Sequence, residues 1–172
     1  AEPTTSTTPA ETTTTTTRPV PQYGTTPCPP AGGSATRTAT FFDSFARCID
    51  PAKTYVATMR ITIDATPYDV VFDLDTRRAP VTVNNFVALA RSRYYDGSRC
   101  QRIIPAFVAG CGDSSGTGSS TPGYDFVGEV PTAGEYQIGS IAMSTWRPGT
   151  FGGQFFFIIG PDGVRIDPIY SL

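Results

Sequence analysis

The stretch CQRIIPAFVAGCGD, residues 100–113, sets one cation, Arg102, inside a run that is otherwise apolar and small, with a cysteine near each end. A guanidinium in that setting has two uses. It pairs with an acid or snorkels to water at a strand edge, or it serves as a charge-assisted hydrogen-bond donor toward a ligand. The 172-residue chain contains no histidine. That removes Ser-His-Asp and Cys-His catalysis and the commonest zinc and iron ligand. Chemistry therefore rests on carboxylates, Arg, Lys, Tyr and Cys. Asp73, Asp75 and Asp113 are candidates for paired-carboxylate hydrolysis, but no spacing among them argues that two converge.

Cys28, Cys48, Cys100 and Cys111 allow three pairings. None lies in a CxxC arrangement, so disulfides are favoured over a zinc ribbon or thioredoxin-type site, provided the compartment is oxidising. Joining Cys28 to Cys48 would close a loop of about 20 residues, worth about 3 kcal/mol in the chain-entropy model. Cys100 and Cys111 flank a strand–turn–strand and are either a second disulfide or two buried thiols. The net charge of −2 and pI near 5.0 lack the basic footprint of a nucleic-acid binder. No window approaches 18 consecutive apolar residues, so no segment reads as membrane-spanning.

The elements that must hold Arg102 follow from pattern. TYVATMRITID and YDVVFDLD alternate or run β-branched around ATP and predict an antiparallel hairpin. Pro80 then opens a helix over about 80–92, with Val83, Phe86, Val87 and Ala90 at i, i+3, i+4 and i+7. Residues 100–113 read as strand–turn–strand bent at Pro105. GDSSGTGSSTPGY, residues 112–124, reads as a flexible surface loop, since no Lys or helix pattern follows to make a phosphate cradle. YQIGSIAMST is a strand signal, and Trp146 lies in the turn-rich WRPGTFGG. In QFFFII, period-two alternation puts Phe156 on one face and Phe155 and Phe157 in the core. One helix among many short strands predicts a mainly β barrel or sandwich.

Residues 1–27 are mostly Thr and Pro, too apolar-poor to offset ordering entropy, and read as a disordered exported stalk. Residues 28–52 form a cysteine-bounded preface, and the globular domain runs from Lys53 to Leu172. A stalk together with paired cysteines places the protein outside the cell or in its envelope, with a signal or lipid anchor expected upstream.

Several blocks in order resemble the cyclophilin-type peptidyl-prolyl cis-trans isomerases. RIIPAF is close to R-[VI]-I-P-G-F, GDSSGTGSSTPGYDF to GDPTGTGxGGPGYxF, and IAMSTWRPGTFGGQFFFI to LAMAN-x-GPNTNGSQFFI. The helix APVTVNNFVALARSRYYDG is similar to APxTVxNFxxLAxxxYYDG. The preface resembles exported actinobacterial members with a Thr/Pro-rich stalk. This resemblance implies a cyclophilin-like antiparallel β-barrel over residues 53–172. It also implies C-terminal truncation, because the family's last strands and second helix do not follow.

The resemblance makes Arg102 the catalytic arginine. Phe107, Val108, Phe156 and Ile166 become the apolar proline pocket, Gln154 the backbone-contacting glutamine, Ser144 and Thr145 the peptide groove, and Tyr170 the closing residue. The chain departs from the pattern at Gln101, Gly110, Thr145, Gly149, Phe151 and Gly153. Gly110 stands where the family carries a glutamine that orients the arginine. No metal or cofactor is implied. The implied partners are proline-containing peptides, unfolded proteins and cyclosporin-like ligands. The implied activity is prolyl isomerisation that assists folding of exported proteins, and the competing reading is a non-catalytic proline-peptide-binding module.

Overall fold

Side-chain alternation along Tyr55–Ile63 (β1) and Thr66–Leu74 (β2) turns Ala57, Met59, Phe72 and Leu74 inward, as the computed structural model of residues 21–33 and 35–172 shows. The two strands pair antiparallel from Tyr55↔Leu74 to Ile63↔Thr66. Asp64 and Ala65 make the reversal, both with positive φ (48° and 65°), the backbone twist a two-residue hairpin favours.

The helix, α1, spans Pro80–Arg91. Val83, Phe86 and Val87 are buried as their spacing predicts, whereas Ala90 is exposed. Burial runs all round the helix from Pro80 to Leu89, because its polar residues find partners instead of water. Asn84 accepts from Cys48 N (2.6 Å) and Ile49 N (3.2 Å) and donates to Ala46 O (3.0 Å). Asn85 accepts from Tyr124 Oη at 2.5 Å, and Thr82 Oγ1 lies 2.6 Å from Ser171 Oγ. The Glu129 carboxylate accepts from the first helical N–H groups, Val81 N (3.0 Å) and Thr82 N (3.1 Å), satisfying donors that a helix start leaves open.

The remaining strands are Arg102–Ile104 (β3), Val108–Cys111 (β4), Phe126–Val127 (β5), Ile141–Met143 (β6), Thr150–Phe151 (β7) and Phe155–Ile158 (β8). They form an antiparallel four-stranded sheet in the order β3-β4-β8-β6 and a small β5-β7 pair. Among the described residues the fold is thus mainly β with antiparallel sheets and a single α-helix, as expected. The strands are divided among three sheets, so among the described residues the ring is open rather than a closed barrel. Between β2 and β6 lies an apolar groove of about 470 Å³, lined among others by Phe72, Leu74, Phe86, Ile141, Met143 and Leu172. Among the described residues only a bridge from Met143 to Ser171 begins to cover the β6 edge.

Strand β8 divides the interior. Phe155 and Phe157 pack toward α1 with Phe72 and Phe86, while Phe156 and Ile158 pack on the opposite face with Val108, Phe107, Ile166 and Tyr170. The first face is the main core, and the second becomes the floor of the candidate site.

The preface is bound into this core. Cys28 and Cys48 are disulfide-bonded, and Phe45 and Ile49 are buried. Residues 1–20 of the expected stalk lie outside the described residues. Of its remainder, Gly24 N donates to Phe45 O and Thr26 N to Ser44 O, both at 3.0 Å, so pairing begins before residue 28. Among the described residues no helix is long and apolar enough to cross a membrane.

Candidate active site

The site starts from one row of residues across the four-stranded sheet. Arg102 pairs with Gly110, Gly110 with Phe156, and Phe156 with Ala142. Residues in one cross-strand row project from the same face. Gly110 projects nothing, so the row presents a cation, a gap and a phenyl ring in sequence. Above that gap is a cavity of about 370 Å³.

Its walls are Arg102, Phe107, Val108, Gln154, Ser144, Phe156, Ile166 and Tyr170, all named from the sequence. Gln101, Gly110, Thr117, Gly118 and Phe155 also line it. Phe156 and Tyr170 meet edge to face with centroids 5.1 Å apart. Thr145 does not line the cavity. Its Oγ1 reaches Arg147 O and Thr150 O (2.5 Å for the latter) and accepts from Arg147 N at 2.9 Å, closing the 145–150 turn. Trp146 on that turn is 73% exposed, with the Arg147 guanidinium 5.1 Å from its ring centroid.

Arg102 is exposed, and among the described residues its guanidinium makes no hydrogen bond or ion pair. Its N–H groups are open to a ligand in the cavity. Gln154 is differently occupied: Nε2 donates to Gly118 O and Ser120 O, both at 3.1 Å. It thereby ties β8 to the 113–120 loop, leaving Oε1 toward the cavity side. The Gln101 carboxamide lies 3.3 Å from that Oε1. Turned over, it reaches the carbonyls of Gly110 (3.3 Å) and Arg99 (3.1 Å) instead.

The 112–124 segment lies at the surface but is built around a carboxylate rather than left flexible. Asp113 is fully buried, and Oδ1 accepts from Ser115 N (2.7 Å), Ser115 Oγ (2.7 Å), Gly116 N (3.1 Å) and Ser120 Oγ. Oδ2 accepts from Ser120 N at 3.2 Å. Burial pushes this carboxyl up, but the hydrogen bonds from Ser120 and Ser115 outweigh it and hold the group well below the usual carboxylate range. This arrangement fixes Thr117 and Gly118 on the cavity wall. It also leaves Asp113 saturated and apart from Asp73 and Asp75, which line the β2–β6 groove, so Asp113 forms a carboxylate pair with neither.

Tyr136, at the start of the YQIGSIAMST segment, does not line the cavity but holds Tyr170, which does. It is buried, its hydroxyl donates to Tyr170 O at 2.6 Å, and it accepts from Tyr170 N at 3.1 Å. Burial pushes its phenol up to about 12. Cys100 and Cys111 are disulfide-bonded, which settles the choice the sequence left open.

The family model described as cyclophilin type peptidyl-prolyl cis-trans isomerase/CLD matches residues 58–168. Among similar proteins is "Peptidyl-prolyl cis-trans isomerase-like 1" of Gibberella zeae, 38% identical over 60% of this chain and 67% of its own. The "Peptidyl-prolyl cis-trans isomerase" of Helicobacter pylori is 35% identical over 63% of this chain and 71% of its own. A third, "Probable peptidyl-prolyl cis-trans isomerase A" of Mycobacterium bovis, is 33% identical over 67% and 72%. The chain belongs to the cyclophilin-type peptidyl-prolyl cis-trans isomerase family. Its enzyme class is peptidyl-prolyl cis-trans isomerase.

Proposed function

We propose that this protein accelerates rotation about Xaa–Pro bonds in exported proteins and so assists their folding, with Arg102 as the donor that lowers the barrier. Prolyl rotation is slow because amide resonance imposes a barrier of about 18–20 kcal/mol. No covalent step is needed to lower it. As the bond twists, the nitrogen becomes pyramidal and regains a lone pair, which a guanidinium can hydrogen-bond only in the twisted state. That is differential binding of the transition state, and a charged donor at the edge of an apolar cavity supplies it.

The observation that carries this reading is the row Arg102–Gly110–Phe156, with a guanidinium unpartnered among the described residues at one end and an aromatic floor at the other. In this reading Phe107, Val108, Phe156, Ile166 and Tyr170 hold the proline ring, Ser144 and Thr145 border the peptide path, and Gln154 Oε1 accepts from the peptide backbone. Cyclosporin-like cyclic peptides fit the same cavity in kind. Export to an extracellular or envelope setting is supported by the two disulfides and the Thr/Pro-rich N-terminal tract.

A second reading, a proline-peptide-binding module without turnover, draws on Gln154 and Thr145. Thr145 Oγ1 and Gln154 Nε2 are spent on the protein's own loops. NMR exchange spectroscopy on one Xaa–Pro peptide separates the two. The isomerase reading expects faster exchange that drops about 10²–10³-fold in Arg102→Ala, the effect of losing one transition-state donor. Binding with no acceleration by the native chain would leave the module reading in place.

A further inference from the structure

We propose that the Cys100–Cys111 disulfide is a positioning element for Arg102, substituting for the side-chain partner that the guanidinium lacks. The inference rests on the reading of Arg102 as the catalytic donor.

Arg102 begins β3, an edge strand of three residues that pairs on one side only. Such a short edge frays readily, since few ladder bonds hold it and none lie on its outer side. The turn end of the hairpin is held by the body of the protein: Asp162 N donates to Ala106 O (3.1 Å) and Ile159 N to Phe107 O (3.0 Å). Gly160 packs so closely under Ala106 that a Cβ there would meet its backbone at 2.4 Å.

The open end carries Arg102, and there the side chain contributes nothing to its own placement. Its guanidinium has no partner among the described residues, and Gly110 across the ladder offers no side chain to steady it. What lies at that end is the disulfide. The ladder register continues to an Arg99↔Asp113 bridge, which sets Cys100 and Cys111 on adjacent rungs just below the Arg102–Gly110 pair. Cys111 is buried in the main core beside β8, while Cys100 is exposed on the edge. The bond therefore clamps the residues preceding Arg102 onto an anchored strand. It also ties them to Asp113, whose hydrogen bonds set Thr117 and Gly118 on the cavity wall.

The experiment compares the native chain, Cys100→Ala/Cys111→Ala, Arg102→Ala and the triple variant, reading kcat by NMR exchange and peptide Kd by titration. We expect the cysteine pair variant to lose about tenfold to a hundredfold in kcat, the upper figure being the scale of effect that about 1 Å of misplacement produces, with Kd changed less than about twofold. In the Arg102→Ala background, removing the disulfide should cost nothing further. Unchanged kcat in the cysteine variant overturns the inference, as does full additivity with Arg102→Ala, which would make the bond a general fold staple. Native-like kcat in Arg102→Ala overturns instead the catalytic reading beneath it. If the cysteine variant does not fold, Cys28→Ala/Cys48→Ala is reduced with dithiothreitol and followed by circular dichroism and kcat. A folded protein whose kcat falls on reduction and returns on reoxidation supports the inference. Unchanged kcat, or loss of the fold, overturns it.

Discussion

Tyr94 fills the space that a side chain on Gly153 would need: a Cβ at residue 153 would lie 2.7 Å from Tyr94 Cε1 and 2.9 Å from its hydroxyl. Tyr94 is fully buried, and its hydroxyl has no hydrogen-bond partner among the described residues. The glycine is thus a packing requirement just before Gln154. Gly153→Ala should destabilise the protein by about 1–3 kcal/mol through overpacking, read as a lower urea midpoint at unchanged slope. Tyr94→Phe removes an unsatisfied buried hydroxyl and should raise stability by about 1 kcal/mol.

The Asp113 hub makes a second prediction. Replacing it with Asn puts an N–H₂ group where the loop offers N–H and O–H donors, as at Ser120 and Ser115. Asp113→Asn should cost about 1–3 kcal/mol. It should also raise the peptide Kd more than it changes the unfolding slope, because Thr117 and Gly118 lose their hold on the cavity wall.

Stability against pH follows from the same group and from Tyr136. A carboxyl depressed in the folded state binds its proton less readily there than in the unfolded chain. Its contribution is therefore complete above the ordinary value of 3.8 and is lost as pH falls below it. A phenol pushed up to about 12 contributes below its ordinary value of 10 and loses that contribution as pH rises through 12. Melting temperature should be level between the two ordinary values, 3.8 and 10, and fall on both sides. With no histidine in the chain, kcat should be level from about pH 5 to 8. A bell-shaped profile centred there would assign catalysis to a titrating group.

The preface disulfide is expected to act on stability alone. It spans 20 residues, so Cys28→Ser/Cys48→Ser should lower unfolding free energy by about 3 kcal/mol in chemical denaturation while leaving kcat unchanged.

What the sequence displayed were the features with a period. The β1–β2 hairpin and the division of Phe156 from Phe155 and Phe157 follow from spacing of apolar residues, and the helix start follows from Pro80 at its first position. Most of the cavity wall was legible through motif order. Features that depend on convergence were not. A Ser/Thr/Gly-rich loop looks flexible in composition, and nothing local shows that its donors meet on one buried Asp113. Tyr136 is a lone aromatic whose two hydrogen bonds to Tyr170 span 34 residues. Ala90 fits the helical stripe but is exposed, because the covered side of the last turn falls on its neighbours Ala88 and Leu89, both fully buried. Two-residue strands such as β5 and β7 are too short to leave any alternation at all.

Trp146 is the sole tryptophan, standing in water two residues beyond the cavity-lining Ser144 on the turn that Thr145 closes. Its fluorescence therefore belongs to one loop. The emission spectrum of the unlabelled protein is an optical record of that loop alone, with the Arg147 charge as its built-in neighbour.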